Sequence, residues 1–502
     1  ETNEPAQIVF VQTRDSFSYT YDLFNENWVC LERGWKEYNV DNSEHWNLWW
    51  RASGFPANYY KNLSASQFIN HIPKGSSICR KDNLVRNLRC MKKIYGTIYD
   101  FSPHGFNLPL EYTKLAAECN RIRLISSGDE LEGFYEDKPI WICKPVAQSQ
   151  GRGIFLFRKL SELNYDTNTI VQKYIEKPLL IGGYKFDLRL YVCIPSYHPL
   201  TIYMYQEGLV RFGTDKFSLN DLSNPYRHLT NSSINKLGPG YAEMKDRIGS
   251  GCKWTLKQLR RYFQQAKIFD WLLWHKISAL VVLTLLSHVS DVPQTTNCFD
   301  FFGFDVLIDD LLKPWLLEVN LSPALSYDCD ADRAVKKPML HDMFDLLGFP
   351  LYNTGLDVFN IFTDECKENY SNNQPQVGQA VGRWKKKQRK SGVKPKTSRA
   401  NHRKDDKPVE KNSRNWGNDK NWCHPANQEG GWIRLCPIGE STNRFTYSND
   451  RAAIKYNVAE VIKFTRIAKE VYKIHPQASE CQLNEFLVNQ MEITSDLWMP
   501  PI

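Results

Sequence analysis

One stretch limits what this chain can fold into. From Cys298 to Ser322 it reads Cys-Phe-Asp-Phe-Phe-Gly-Phe-Asp-Val-Leu-Ile-Asp-Asp-Leu-Leu-Lys-Pro-Trp-Leu-Leu-Glu-Val-Asn-Leu-Ser. Phe302–Ile308 is aromatic and β-branched, Asp309–Pro314 carries turn chemistry, and Trp315–Leu321 is apolar again, which predicts two strands and a turn. Asp305, Glu318 and Asn320 interrupt the apolar run. Glu318 and Asn320 are two apart and share a strand face, and a short hairpin brings Asp305 beside them. Two carboxylates and an amide oxygen form a hard, all-oxygen site suited to Mg²⁺. The competing reading is an ordinary hairpin with a few surface acids. It leaves unexplained why an acid and an amide share one side of so apolar a segment.

The rest of the chain is long enough for several domains. Of its 502 residues 42% are hydrophobic and 24% charged, ordinary values for a globular protein. Thirteen cysteines are scattered, with no C-x-x-C pair or zinc spacing, which fits a reducing compartment better than a disulfide scaffold. No signal-peptide pattern opens the chain, which starts at Glu1 and is read as open to a trimmed leader. The nearest thing to a membrane span, Trp271–Val289, contains Lys276, and its longest clean apolar run, Ala279–Leu286, is too short; a buried helix is expected.

Ile8–Val11 is an apolar strand, and Trp28, Trp35, Trp46, Trp49 and Trp50 read as core. A helix follows, capped by Ser76 or Ser77, with Ile78, Leu84, Val85 and Leu88 as its apolar stripe. Arg80 and Lys81 there read as a solvated face in preference to phosphate ligands. Pro139–Pro145 is a strand ending near Lys144. A loop with Gln150, Gly151 and Gly153 then leads into the strand Phe155–Phe157. This describes a flap whose backbone N–H groups can close over phosphates, without the spacing of a P-loop or a dinucleotide turn. Thr169–Ile175 is a strand whose end can read an adenine edge, or simply a core strand. Lys185–Val192 alternates strictly: Lys185, Asp187 and Arg189 on one face, Phe186, Leu188, Leu190 and Val192 on the other. The charged row is either surface or a phosphate-side face. Arg211 sits within another short strand, and His228–Asn231 is a polar cluster suited to ribose or phosphate. Trp254–Val289 is helical, and His341–Gly348 is a closing helix.

Beyond about Phe362 the composition changes. The net charge of +8 is unevenly placed, and Arg383–Lys404 contains no Asp or Glu. This is expected to be a disordered basic linker, with an inert tail, a nucleic-acid patch or attraction to an acidic protein surface as its competing roles. Tyr456–Ile474 reads as one amphipathic helix.

The order of these motifs resembles the ATP-grasp ligases, and specifically the polyglutamylase branch of the tubulin tyrosine ligase-like family. The resemblance covers roughly Phe10 to Pro350. It rests on Arg80–Asp82, Lys144-Pro145, Gln150–Gly153, Gln172–Ile175, Lys185–Arg189, Arg211-Phe212, His228–Asn231, Gly303–Asp305 and Lys313–Pro323. It implies an α/β (α+β) ATP-grasp fold. The implied parts are an N-terminal α/β subdomain over 8–115, a central subdomain with the flap over 116–195, and a C-terminal subdomain with the Mg²⁺ site over 196–362. A basic disordered linker over 363–430 and a C-terminal extension with one helix over 431–502 follow.

The resemblance also implies roles. Lys144 and Lys185 contact ATP, Gln150 and Gly151 cover its phosphates, and Gln172, Lys173, Tyr174 and Ile175 read its adenine edge. Asp187, Thr230 and Asn231 complete the nucleotide site. Asp305, Glu318 and Asn320 hold Mg²⁺, expected as two ions. Arg189 steadies the transferring phosphoryl group, and Lys144 assists. Arg211 grips the incoming free L-glutamate, with Ser232 and Lys253 as weaker candidates; many relatives carry Tyr at the position of Ser232. The implied partners are tubulin and microtubules, through acidic C-terminal tails, and accessory proteins. Neither membrane nor nucleic acid is expected. The implied location is the cytoplasm and cytoskeleton, including cilium or basal body. The rivals are a glycine or tyrosine ligase, and a microtubule- or nucleic-acid-binding relative with an inactive site.

Overall fold

The computed structural model describes residues 9–13, 29–37, 46–64, 66–126, 139–146, 148, 150–165, 167–248, 250–349, 420–438, 449–493 and 497–502. The basic run Arg383–Lys404, Ile8 and Trp28 lie outside them.

Three sheets carry the described residues. The first is parallel, in the order β2 (Lys36–Glu37), β1 (Val9–Thr13), β3 (Leu48–Arg51), β4 (Phe68–Ile69). The second is antiparallel: β5 (Gly105–Leu108), β8 (Thr169–Lys173), β6 (Trp141–Pro145), β7 (Phe155–Phe157). The third is built around the long strand β10 (Tyr184–Tyr197). On one edge its N-terminal half pairs with β12 (Leu209–Lys216) and its C-terminal half with β11 (Leu200–Tyr205); β9 (Leu180–Ile181) pairs with its start on the opposite edge. Along its other edge runs β14 (Asp300–Ile308), which pairs in turn with β15 (Pro314–Asn320). β13 (Lys253–Thr255) lies outside β12, and β17 (Trp432–Cys436) and β16 (Gln428–Glu429) extend the sheet beyond β11. The expected mixed α/β class is therefore present, and β10 runs through the expected boundary at 195.

The helices, in chain order, are α1 (Lys81–Tyr95), α2 (Tyr112–Ser126), α3 (Pro225–His228), α4 (Ser232–Asn235), α5 (Tyr241–Ile248), α6 (Leu256–Gln265), α7 (Trp271–Leu286), α8 (Asp330–Leu346), α9 (Arg451–Ile474) and α10 (Glu480–Met491). Several differ from the sequence reading for local reasons. A 3-10 turn over Gly75–Cys79 intervenes before α1, so neither Ser76 nor Ser77 caps it; Asn83 instead donates to the Ser77 hydroxyl at 3.1 Å. The expected Trp254–Val289 helix is broken, because Trp254 pairs with Val210 in the sheet and Thr255 with Gln258 then forms a capping box. The single helix expected at Tyr456–Ile474 begins earlier, where Asp450 caps the Ala453 N–H, and a second, α10, follows.

α7 is apolar around its whole circumference, as a helix enclosed on all sides must be. Trp271–Asp291 is long and apolar enough to cross a membrane, with mean hydropathy 1.6, and 83% of that window is buried inside the protein. It lies between the large sheet and α9, with Trp271, Trp274, Leu280 and Leu283 in one apolar cluster with Val461, Phe464 and Val471. The C-terminal elements thus complete the core.

Candidate active site

The site is built by strand register. On β10, Asp187 lies opposite Arg211 of β12, and Arg211 lies opposite Lys253 of β13. One step along β10, Arg189 lies opposite Asp305 of β14, and Asp305 opposite Glu318 of β15. Cross-strand partners share a sheet face, so the pairing lays two rows of alternating charge side by side. A bulge between Asp305 and Val306 accommodates the register, and Asn320 falls opposite Gly303 on the side of Glu318.

The rows interlock. Arg189 donates to both Asp305 oxygens at 2.6 and 3.1 Å. Arg211 donates to both Asp187 oxygens at 2.8 and 2.6 Å and reaches Asp305 Oδ2 at 2.8 Å. Thr230 Oγ1 adds a bond to Asp187 at 2.6 Å. Burial alone pushes the Asp305 carboxyl up, but the two guanidiniums win and hold it well below the usual carboxylate range. Asn320 uses its amide nitrogen on the Gly303 carbonyl at 3.3 Å, leaving its oxygen for a cation. Two carboxylates and an amide oxygen on one hairpin face suit Mg²⁺ as a donor set, and Arg189 and Arg211 supply the compensating charge to Asp305. Among the described residues no three His, Cys, Asp or Glu side chains converge as metal ligands.

This face floors an open cleft. Its other wall is the second sheet, which contributes Ile142, Lys144, Gln172, Lys173, Tyr174 and Ile175. The flap residues Gln150 and Gly151 close one side, both with left-handed φ, of 61° and 77°. Apolar Ile142, Ile154, Leu229, Leu307 and Leu317 line the cleft together with the cations and acids. A cleft that combines apolar walls with cationic and acidic groups suits a nucleotide.

Two lysines enter the cleft without a carboxylate in contact. Lys144 Nζ donates to Gln172 Oε1 at 2.9 Å, and burial pushes its pKa down to about 8. Lys185 Nζ donates to Tyr174 Oη at 2.9 Å and to the His228 carbonyl at 2.8 Å, and burial lowers it to about 7. The neighbouring bonds fix the His228 tautomer. Since Tyr174 Oη accepts from Lys185, its proton goes to His228 Nδ1 at 3.0 Å; His228 Nε2 then donates to the Asp221 carbonyl at 2.8 Å.

Of the residues singled out from the sequence, Lys144, Gln150, Gly151, Gln172 to Ile175, Lys185, Asp187, Arg211, Thr230, Asn231, Asp305 and Glu318 all line this cleft. Arg189, Ser232, Lys253 and Asn320 do not. Arg189 is paired with Asp305, Ser232 opens α4 one residue beyond Asn231, and Lys253 is held by Asp332 at 2.6 Å. Lys81 is a correction. Read as solvated, it lines the cleft with its Nζ 3.5 Å from Glu318 and 3.0 Å from the Gln148 carbonyl. Its neighbour Arg80 stays at the surface, paired with Asp82 at 2.9 Å. The start of α1 beside the flap made the difference, and no local sequence signal carried it.

The fold is of the ATP-grasp type, and the chain belongs to the tubulin-tyrosine ligase family, whose family model matches residues 60–354. It is 48% identical over 322 residues to the human probable tubulin polyglutamylase TTLL2, covering 64% of this chain and 53% of that protein. The mouse protein of the same name is likewise 48% identical over 322 residues, with 58% of it covered. Human tubulin polyglutamylase TTLL5 is 37% identical over 334 residues, 64% of this chain and 25% of that one. The chain thus spans little more than half the length of the first two relatives.

Proposed function

We propose that the chain is an ATP- and Mg²⁺-dependent protein–glutamate ligase, a tubulin polyglutamylase. It would add free L-glutamate to glutamate side chains in the acidic C-terminal tails of tubulin. The observation that carries this is the convergence of Asp305, Glu318 and Arg211, backed by Arg189 and Asn320 on the same strands, with Lys144, Lys185 and the flap residues in one cleft. The names of the relatives support the choice of substrate.

A carboxylate is a poor electrophile. In this reading the γ-phosphoryl group of ATP passes to the side-chain carboxylate of a tubulin glutamate, giving an acyl phosphate and ADP. The amine of free glutamate attacks the acyl carbon, phosphate leaves, and an amide remains. Bound Mg²⁺, expected as two ions, would offset phosphate charge. Lys144, Lys185 and Lys81 hold the phosphates, the flap at Gln150–Gly153 excludes water, Arg189 steadies the phosphoryl group as it moves, and Arg211 grips a carboxylate of the incoming glutamate. No enzyme nucleophile is required. A cytoplasmic, cytoskeletal site of action, including cilium or basal body, follows from the substrate.

The test offers labelled Glu, Gly and Tyr separately to purified microtubules, with mass analysis of the tails. Glutamate incorporation is expected; incorporation of glycine or tyrosine alone refutes the choice of amino acid. Glu318→Gln should lower incorporation at least a hundredfold without changing the melting temperature. Undiminished incorporation would sink the metal assignment.

A further inference from the structure

Beside the charged rows lies a carboxylate that nothing above uses. Asp328 follows β15 and precedes α8. Its Oδ2 lies 3.0 Å from Lys236 Nζ and 3.4 Å from Lys253 Nζ. Lys253 is the register partner of Arg211, one strand further from the hairpin. Lys236 follows α4, whose preceding residue Asn231 lines the cleft. Two ammonium groups converge on one carboxylate, one of them on the strand beside Arg211, and make a carboxylate-binding position.

We infer that Asp328 is an internal stand-in for the side-chain carboxylate of the amino-acid substrate, occupying the position between Lys236 and Lys253 until free glutamate displaces it. This deepens the proposed glutamate ligation and rests on it.

The geometry distinguishes the two acids around Lys253. Asp332 is fully buried, binds Lys253 at 2.6 Å and Lys336 at 2.8 Å, and accepts the Asp328 backbone N–H at 3.1 Å. It cannot leave without stranding two buried ammoniums, so it is a positioning residue that fixes Lys253. The Asp328 side chain is 27% exposed and makes the longer contact, and Lys236 is 43% exposed. Asp328 can therefore swing into water and leave its partners to an incoming carboxylate. Of glutamate and glycine, only glutamate carries a side-chain carboxylate for this position. Glycine has nothing to place there.

An internal occupant lowers apparent affinity by the fraction of time it fills the site; nine-tenths occupancy costs about tenfold. The full chain, saturated with a non-hydrolysable ATP analogue and Mg²⁺, is titrated with L-glutamate or glycine while its melting temperature is followed. Asp328→Asn and Asp328→Ser should both reach half-maximal stabilisation at about tenfold lower glutamate than wild type, and Lys236→Gln at higher glutamate. Glycine should show no such shift. In the incorporation assay, the KM for glutamate should fall in both Asp328 variants. If wild type incorporates glutamate and both folded Asp328 variants show unchanged or weaker glutamate response, the inference fails and the ligase reading stands. If wild type neither incorporates glutamate nor is stabilised by it, both fail.

Discussion

Lys185 shows how a single residue can tie nucleotide binding to pH. Its ammonium is buried among neutral acceptors, Tyr174 Oη and the His228 carbonyl, and its pKa falls to about 7. A lysine with a lowered pKa weakens the fold below that value, where the cation stays buried, and the penalty fades as pH rises through 7. Bound phosphates reverse the preference by stabilising the cation. Nucleotide affinity is therefore expected to be highest below pH 7 and to decline above it, with proton uptake on binding near pH 7.5. Calorimetry in buffers of different ionisation heat reads that uptake, and Lys185→Met should remove most of it. Gly151 carries a second expectation. Its φ of 77° and an added Cβ only 2.9 Å from Asn231 Oδ1 leave no room for alanine. The left-handed backbone alone costs roughly 1–2 kcal/mol. Gly151→Ala should raise the KM for ATP by about tenfold while leaving the melting temperature near wild type, because the strain falls on the flap.

At the scale of elements, the β14–β15 hairpin was legible because aromatic and β-branched runs flank a turn-rich centre, and the two-residue period put Glu318 and Asn320 on one face. β10 was legible as a strand, but its environment was not. Strict alternation allows one solvated face; both faces are buried instead, because β10 is the central strand and its charged face is roofed by the cleft. The 3-10 turn at Gly75–Cys79 was not legible, since its cause is a distant residue. Asp300, at the start of β14, accepts the Ile72 N–H at 3.0 Å, and an added Cβ on Gly75 would lie 2.0 Å from its Oδ2. Burial pushes the Asp300 carboxyl up to about 8. The folded chain thus holds a proton there that the unfolded chain releases near pH 4. Stability from this group falls as pH rises from about 4 to 8. Asp300→Asn should melt near wild type at pH 4.5 and above it at pH 8.5; parallel melting curves at both pH values would contradict the assignment.

At the scale of the whole molecule, the C-terminal residues decide whether the core closes. Arg260 of α6 is buried against Asp270, Glu480 of α10 and the Pro500 carbonyl. Trp271 Nε1 donates to Asn484 at 2.7 Å, and Trp498 Nε1 to the Tyr205 carbonyl at 2.9 Å. Arg260→Ala should destabilise the chain by about 3–5 kcal/mol in urea unfolding, because it strands the buried Asp270. Deletion of residues 420–502 is expected to yield insoluble protein, since α7 loses its cover. Internal deletion of 383–404 should leave stability within about 0.5 kcal/mol and weaken microtubule pelleting in a salt-sensitive way if the run attracts acidic tails. The sequence by itself determined the donor types, the strand faces and the order of motifs, because these depend on residue chemistry and a two-residue period. Only the tertiary structure decided that Lys81 reaches Glu318, that Arg189 and Arg211 share Asp305, and that one face each of α9 and α10 belongs to the core. Those facts follow from strand register and from packing between segments hundreds of residues apart, which no local pattern encodes.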